Sequence, residues 1–216
     1  MNTILLTGFD PFGQETINPS WEAVRQLDGE QVEDYIIRAV QLPTSFRRSA
    51  ATLRAAMQQH KPDAVICVGQ AGGRPDITLE RVAVNVIDAR IPDNDKEQPI
   101  DVPVVPNGPA AYWTTLPVKT IRSALHEQGI PSSISYTAGT FVCNAIFYEL
   151  MHETAAWDRS CAAGFVHIPF LPEQAASYPN SPSMSLSSVV TALRTLVKHV
   201  HALEDHTQSA GTLHGA

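Results

Sequence analysis

Three side chains of this sequence can carry nucleophilic chemistry together, although they lie far apart along it: Glu80, Cys143 and His167. Cys143 follows Ser135-Tyr136-Thr137-Ala138-Gly139-Thr140-Phe141-Val142, a β-prone segment that runs into a turn of small residues. An apolar helical pattern begins at the cysteine. A thiol at a helix N-terminus meets unpaired backbone N–H groups and the positive end of the dipole, and both favour a thiolate. His167 lies in Gly164-Phe165-Val166-His167-Ile168-Pro169, where the proline ends a strand. A thiol and an imidazole within hydrogen-bond reach form an ion pair that supplies nucleophile and general acid together. Glu80 alternates with Val82, Val84 and Val86 on one strand face, where a carboxylate is costly unless paired. As a third member it would orient the imidazole and fix its tautomer.

Each residue also has a plainer reading. Cysteine is among the most buried residue types, and Cys143, Phe147, Leu150 and Met151 can form one helix face. A histidine between apolar neighbours is usually a satisfied core group. Glu80 can be an edge-strand charge. The other two cysteines serve as controls. Cys67 lies inside the apolar run Val65-Ile66-Cys67-Val68, and Cys161 has no helix N-terminus ahead of it. The remaining histidines show no metal-ligand spacing, so neither a metal nor an organic cofactor is expected.

Hydrophobic periodicity supplies the elements that must position these groups. Strands are expected over 3–7, 35–42, 63–68, 77–89, 133–137 and 164–168. Helices are expected from Asn18-Pro19-Ser20-Trp21, over 46–60 behind the caps of Pro43-Thr44-Ser45, and over 115–128, 143–153 and 185–203. The stretch 91–109 reads as a long loop with room for a hairpin, and 171–182 as a loop. Alternation of strands and helices, with several wholly apolar strands, predicts one α/β domain over 1–205. Its sheet would be mostly parallel and twisted, with helices on both faces. Ligands bind beyond the carboxyl ends of such strands. If the strands are parallel, Phe9, Phe12, Gln70, Cys143 and His167 gather on that edge. The polar stretch 206–216 reads as a flexible tail.

Composition narrows the class. Apolar residues make up 44% and charged residues 17% of 216, which excludes a disordered chain. A net charge of -7 without a basic cluster argues against nucleic acid. No run reaches the length of a membrane span, and the first residues lack the pattern of a signal peptide. Three cysteines do not make a disulfide framework, and a reducing, cytoplasmic setting is expected.

Several motifs together resemble one family. They are Thr7-Gly8-Phe9-Asp10-Pro11-Phe12-Gly13 with Asn18-Pro19-Ser20, Val68-Gly69-Gln70-Ala71-Gly72-Gly73-Arg74, Glu80-Arg81-Val82-Ala83-Val84-Asn85, Ala89-Arg90-Ile91-Pro92-Asp93-Asn94, Ala138-Gly139-Thr140-Phe141-Val142-Cys143-Asn144 and Phe165-Val166-His167-Ile168-Pro169. In order and spacing they are similar to bacterial pyroglutamyl-peptidase I, a cytoplasmic cysteine peptidase, from about residue 2 to 200. The resemblance implies removal of an N-terminal pyroglutamyl (5-oxoprolyl) residue from peptides, with Cys143, His167 and Glu80 as the catalytic set. It implies that Phe9, Phe12 and Phe141 wall the pocket for the lactam ring, with Ile91 and Val142 nearby and Gln70 at its polar edge. Arg90 matches an arginine near the active centre. A homotetramer is also implied.

Rival readings keep part of this. A general thiol amidase would share the chemistry but not the substrate. A non-catalytic α/β small-molecule-binding protein would bury Cys143 as a core residue. A nucleoside-processing enzyme would need a phosphate site, and Gly69-Gln70-Ala71-Gly72-Gly73-Arg74 lacks both the Walker lysine and the dinucleotide spacing.

Overall fold

The computed structural model describes residues 2–211. β1 (Asn2–Phe9) is apolar on both faces and becomes a central strand. Gly8 lets the chain that follows fold back closely: a Cβ there would lie 2.7 Å from the backbone of Ser20 and Trp21. Asn18 caps α1 (Pro19–Val24) by accepting from the Ser20 N–H, with proline at the helix start. A 3-10 turn over Arg25–Leu27 and the short β2 (Gln31–Val32) lead into β3 (Tyr35–Leu42). α2 (Phe46–His60) is capped by Ser45, and Lys61 closes it in the left-handed conformation. β4 (Ala64–Gln70), buried until its last residue, follows.

The expected strand over 77–89 is two strands in two sheets. β5 (Ile77–Glu80) joins the main sheet, and β6 (Val82–Val84) pairs with β7 (Ala111–Trp113) in a separate ribbon. The break falls at Arg81, whose N–H goes to the Ser135 carbonyl while its own carbonyl accepts from Thr114. The stretch 91–109 is the long connection of that ribbon. α3 (Val118–Glu127) starts after Pro117, later than the expected 115, because Thr115 bonds to the Ala163 carbonyl instead. β8 (Ser132–Ser135), α4 (Val142–Ala155), β9 (Ala162–Ile168), the short α5 (Pro172–Ala175) inside the expected loop, and α6 (Leu186–His199) complete the chain.

The main sheet has the order β2-β3-β1-β4-β9-β5-β8. β3, β1, β4 and β9 run parallel. β5 and β8 run parallel to each other but antiparallel to β9, and β2 is antiparallel to β3. The sheet is therefore mostly parallel but mixed, and helices cover both faces. One face packs Val24, Ile121, Leu125, Leu193 and Leu196 of α1, α3 and α6 against Ile4, Leu6, Ile66, Val68 and Val166. The other packs Leu53, Val142, Ile146, Phe147 and Leu150 of α2 and α4 against Leu5, Phe9, Val65, Cys67 and Phe165.

The reversal of β8 corrects one expectation. Cys143 does not simply follow the carboxyl end of a strand aligned with β4 and β9. Residues 136–141 carry the chain back so that α4 begins over the sheet face. Glu204, just ahead of the expected tail, is bonded to α3. The Glu204 carboxylate accepts from the Lys119 and Thr120 N–H groups at the uncapped start of α3, and Lys119 Nζ donates to the Gln208 carbonyl. The rest of that expectation, 212–216, lies outside the described residues. Among the described residues no helix is long and apolar enough to cross a membrane.

Candidate active site

Gly69 is the meeting point of the expected catalytic residues. It is paired in register with His167 across the parallel β4–β9 ladder. A Cβ on Gly69 would come within 3.0 Å of Cys143 Sγ and 2.7 Å of the Phe165 ring. The sulfur therefore sits where that strand lacks a side chain, and α4 can press this close only because residue 69 is glycine. Phe165 lies two residues before His167, so both share the face that α4 covers.

Glu80 arrives from the antiparallel side. β5 pairs Glu80 with Phe165 and Thr78 with His167, so Glu80 reaches diagonally along the ladder. Its Oε1 lies 2.7 Å from His167 Nδ1, with both side chains buried. A carboxylate only accepts, so Nδ1 carries the proton and Nε2 keeps its lone pair. Burial pushes the Glu80 carboxyl up. The hydrogen bond from and charge of His167 outweigh burial, with Ser135 and Arg74 assisting, and hold it below the usual carboxylate value. Burial pushes the His167 imidazole down, against the pull of Glu80. The pair is thus a carboxylate and a neutral imidazole.

The thiol departs from the expected thiolate. Burial pushes Cys143 up to about 12, and the charge of Glu80 adds to this, while Arg74 and the backbone N–H oppose it. The side chain is still partly exposed. Substrate can therefore reach a sulfur that rests as a neutral thiol. Cys143 and His167 are neighbours through Gly69 rather than a preformed ion pair. Cys67, fully buried in β4, is also raised to about 12, so burial dominates both thiols.

A tight crevice opens beside the sulfur, lined by Phe9, Phe12, Asn18, Thr44, Gln70, Phe141, Val142 and Cys143. Ile91 and Arg90 are not among its walls. They line an adjoining cleft with Asp88 and Thr140, on which Phe12 and Phe141 also border. The Phe12 and Phe141 rings are 6.4 Å apart, and Phe46 meets Phe141 edge-on at 5.2 Å. Helix α4 begins with no side-chain cap, so its first N–H groups stay available next to the sulfur. Among the described residues no cluster of His, Cys, Asp or Glu is arranged to hold a metal.

Four residues that frame this site carried no role in the sequence reading. Asn18 and Thr44 both bond the Asp10 carbonyl and line the cleft. Asn144, fully buried, accepts from the Val84 N–H and donates to the Val84 and Val86 carbonyls, fixing β6 to α4. Arg74 donates to Glu80 Oε1 at 2.6 Å. The signal for Asn18, Asn144 and Arg74 was present, since all three stand in the quoted motifs, but spacing alone gave them no partner in the site.

A family model described as pyroglutamyl peptidase matches residues 2–202. A pyrrolidone-carboxylate peptidase of Bacillus anthracis is 54% identical over 215 residues, which are 99% of this chain and 100% of that protein. The crystal structure of pyroglutamyl peptidase I from Bacillus amyloliquefaciens superposes with a TM-score of 0.92 at 49% identity, covering 96% of this chain and 99% of that one. The pyrrolidone carboxyl peptidase of Thermococcus litoralis gives 0.90 at 38% identity, with 93% of each chain covered.

Proposed function

Because the chain belongs to the pyroglutamyl peptidase family, and is a hydrolase that removes N-terminal pyroglutamate, we propose that Cys143 is its nucleophile, His167 its general base and acid, and Glu80 the group that orients His167. The observation that carries this reading is the buried 2.7 Å contact from His167 Nδ1 to Glu80, with the Cys143 sulfur seated on the strand residue paired with His167. His167 Nε2 takes the thiol proton as sulfur attacks the carbonyl that follows the lactam ring. The uncapped N–H groups at the start of α4 receive the oxyanion; one such donor is typically worth about 100- to 1,000-fold in turnover. The imidazolium, steadied by Glu80, protonates the leaving amine. Water activated by the same imidazole then cleaves the thioester and frees pyroglutamate.

The cleft suits this substrate. Phe9, Phe12, Phe141 and Val142 offer a flat apolar slot, while the side-chain amide of Gln70 stands at its polar edge to bond the lactam, beside Asn18 and Thr44, which are already tied to the Asp10 carbonyl. No carboxylate lines it. An ordinary N-terminal ammonium would lose its hydration there without a partner, at a cost of several kcal/mol. Ile91 and Arg90, in the adjoining cleft, border the ring's site through Phe12 and Phe141. Three free cysteines suit a reducing compartment such as the cytoplasm, and a homotetramer completes the reading. Sedimentation at working concentration tests the assembly, and a monomer would refute it. For the activity, a pyroglutamyl peptide should release free pyroglutamate, while prolyl and glutaminyl amides stay intact. Alkylation mapped to Cys143 should stop the release; release that survives full Cys143 labelling defeats the proposal.

A further inference from the structure

We infer that Arg74 is a positioning residue for this reaction: its guanidinium fork ties the acid Glu80 to the turn that leads into Cys143, so one cation sets both the imidazole and the thiol. The inference rests on the triad reading above. Arg74 stands in the turn between β4 and β5. Nη1 donates to Glu80 Oε1 at 2.6 Å and to Thr78 Oγ1 at 2.7 Å, and Nη2 donates to the Thr137 carbonyl at 3.1 Å. Thr137 opens the run Ala138-Gly139-Thr140-Phe141 that ends at α4. The fork therefore joins β5 to the segment that carries the nucleophile back over the sheet. Lysine has three donors on one nitrogen but no planar fork, and cannot hold Glu80 and Thr78 on one arm and the Thr137 carbonyl on the other.

The choice of oxygen matters. Arg74 and His167 donate to the same atom, Glu80 Oε1, and Oε2 is buried with no hydrogen-bond partner among the described residues. An exposed ion pair contributes little, but here the carboxylate is fully buried and only the arginine reaches solvent. Without Arg74, Oε1 keeps a single donor, His167, in a site that penalises charge, and the neutral acid of Glu80 gains ground. A protonated Glu80 can donate to His167 Nδ1, which moves the imidazole proton to Nε2. That tautomer cannot accept the thiol proton. Arg74 thus keeps the base in its working form without touching substrate; it is not among the cleft walls.

The titratable and charged groups facing this centre are Glu80 of β5, His167 of β9, Cys143 of α4, Cys67 of β4 and Arg74 itself; β8 contributes the neutral Ser135. The charge of Arg74 lowers Glu80, His167 and Cys143 alike. Its removal raises all three, so the working state of carboxylate and neutral imidazole is reached only at higher pH.

The test compares wild type, Arg74→Met, Arg74→Lys and His167→Ala on a pyroglutamyl amide across pH. Arg74→Met should lower kcat at neutral pH by about 100-fold, the scale of a misplaced catalytic group, with KM unchanged. Its acid limb should move about one pH unit higher, so that part of the loss is recovered in alkali. Arg74→Lys should return the limb toward wild type while kcat stays reduced. A wild-type acid limb in Arg74→Met overturns the inference even where kcat falls, since a merely structural defect leaves the limb in place. Should Arg74→Met not fold, Arg74→Lys with wild-type kcat overturns it equally. An active His167→Ala would refute the triad itself and this inference with it, whereas an inactive one beside an unshifted Arg74→Met refutes the inference alone.

Discussion

The sulfur of Cys143 lies 3.0 Å from the point where a Cβ on Gly69 would stand. Gly69 is in turn the parallel-ladder partner of His167. A missing side chain on β4 is thus the seat of the Cys143 sulfur, and the sheet register places His167 on the neighbouring strand.

Gly69→Ala tests that seat. The added methyl meets the Phe165 ring at 2.7 Å as well as the sulfur, so α4 or the ring must move. Overpacking of this kind costs about 1–3 kcal/mol, and a shift of about 1 Å at a reacting atom costs about 100-fold in rate. The variant should fold with a lowered Tm and lose kcat by about that factor. A variant with wild-type kcat would show that the sulfur does not depend on this space.

The neutral resting pair predicts the shape of the pH profile. His167 must be unprotonated to accept the thiol proton, and burial holds its pKa below 6.5. As pH falls through that lowered value the imidazole protonates and kcat/KM declines. On the alkaline side the thiol, raised to about 12, adds no limb in the ordinary range. The profile of kcat/KM should therefore rise once and then stay flat. Iodoacetamide should label Cys143 faster than Cys67, because Cys143 lines the cleft and is partly exposed while Cys67 is fully buried. A profile that falls again near neutral pH would indicate a thiolate–imidazolium ground state instead.

Phe12 borders both clefts, 6.4 Å from Phe141. Phe12→Ala removes one wall of the proposed ring slot. Burying a ring against Phe is worth about 1.5–3 kcal/mol, so KM for a pyroglutamyl amide should rise about 10- to 100-fold with a smaller change in kcat. An unchanged KM would remove Phe12 from the binding site.

Asn144 fills three hydrogen bonds from a fully buried position. Asn144→Ala leaves buried backbone groups of β6 unpaired, each costing about 1–3 kcal/mol. Asn144→Asp should be worse than alanine, because a carboxylate oxygen would then face the Val84 and Val86 carbonyls. Thermal denaturation measures the order, and an aspartate variant as stable as wild type would contradict this account of how α4 is held.

The proposed catalytic residues could be singled out because a nucleophile, a base and an acid each need a distinctive side chain in a distinctive local context. Cys143 stands at a helix start and His167 at a strand end, and both can be read from local pattern. What stayed hidden depends on contacts between segments far apart in sequence. The alternation from Ile77 through Val86 satisfies two different sheets equally well, so nothing in it marks the break at Arg81. The reversed direction of β5 and β8 is set by partners, not by their own residues. The helix start at Cys143 argued for a thiolate, but the burial that reverses the sign belongs to the packing of Phe165, Cys67 and α4 around it. Gly69 read as part of a turn, although it ends a buried strand and holds a space.

A sulfur seated between a helix start and a strand is open to substrate from the side of the cleft. It can approach a carbonyl from one direction only, and the uncapped N–H groups of α4 fix where the developing oxygen points. The site is consequently handed. A pyroglutamyl group and its mirror image, laid in the same slot, turn opposite faces of the scissile carbonyl toward Cys143. L-pyroglutamyl amides should be cleaved while their D-enantiomers bind the slot and survive, and equal turnover of the two would mean that the thiol moves.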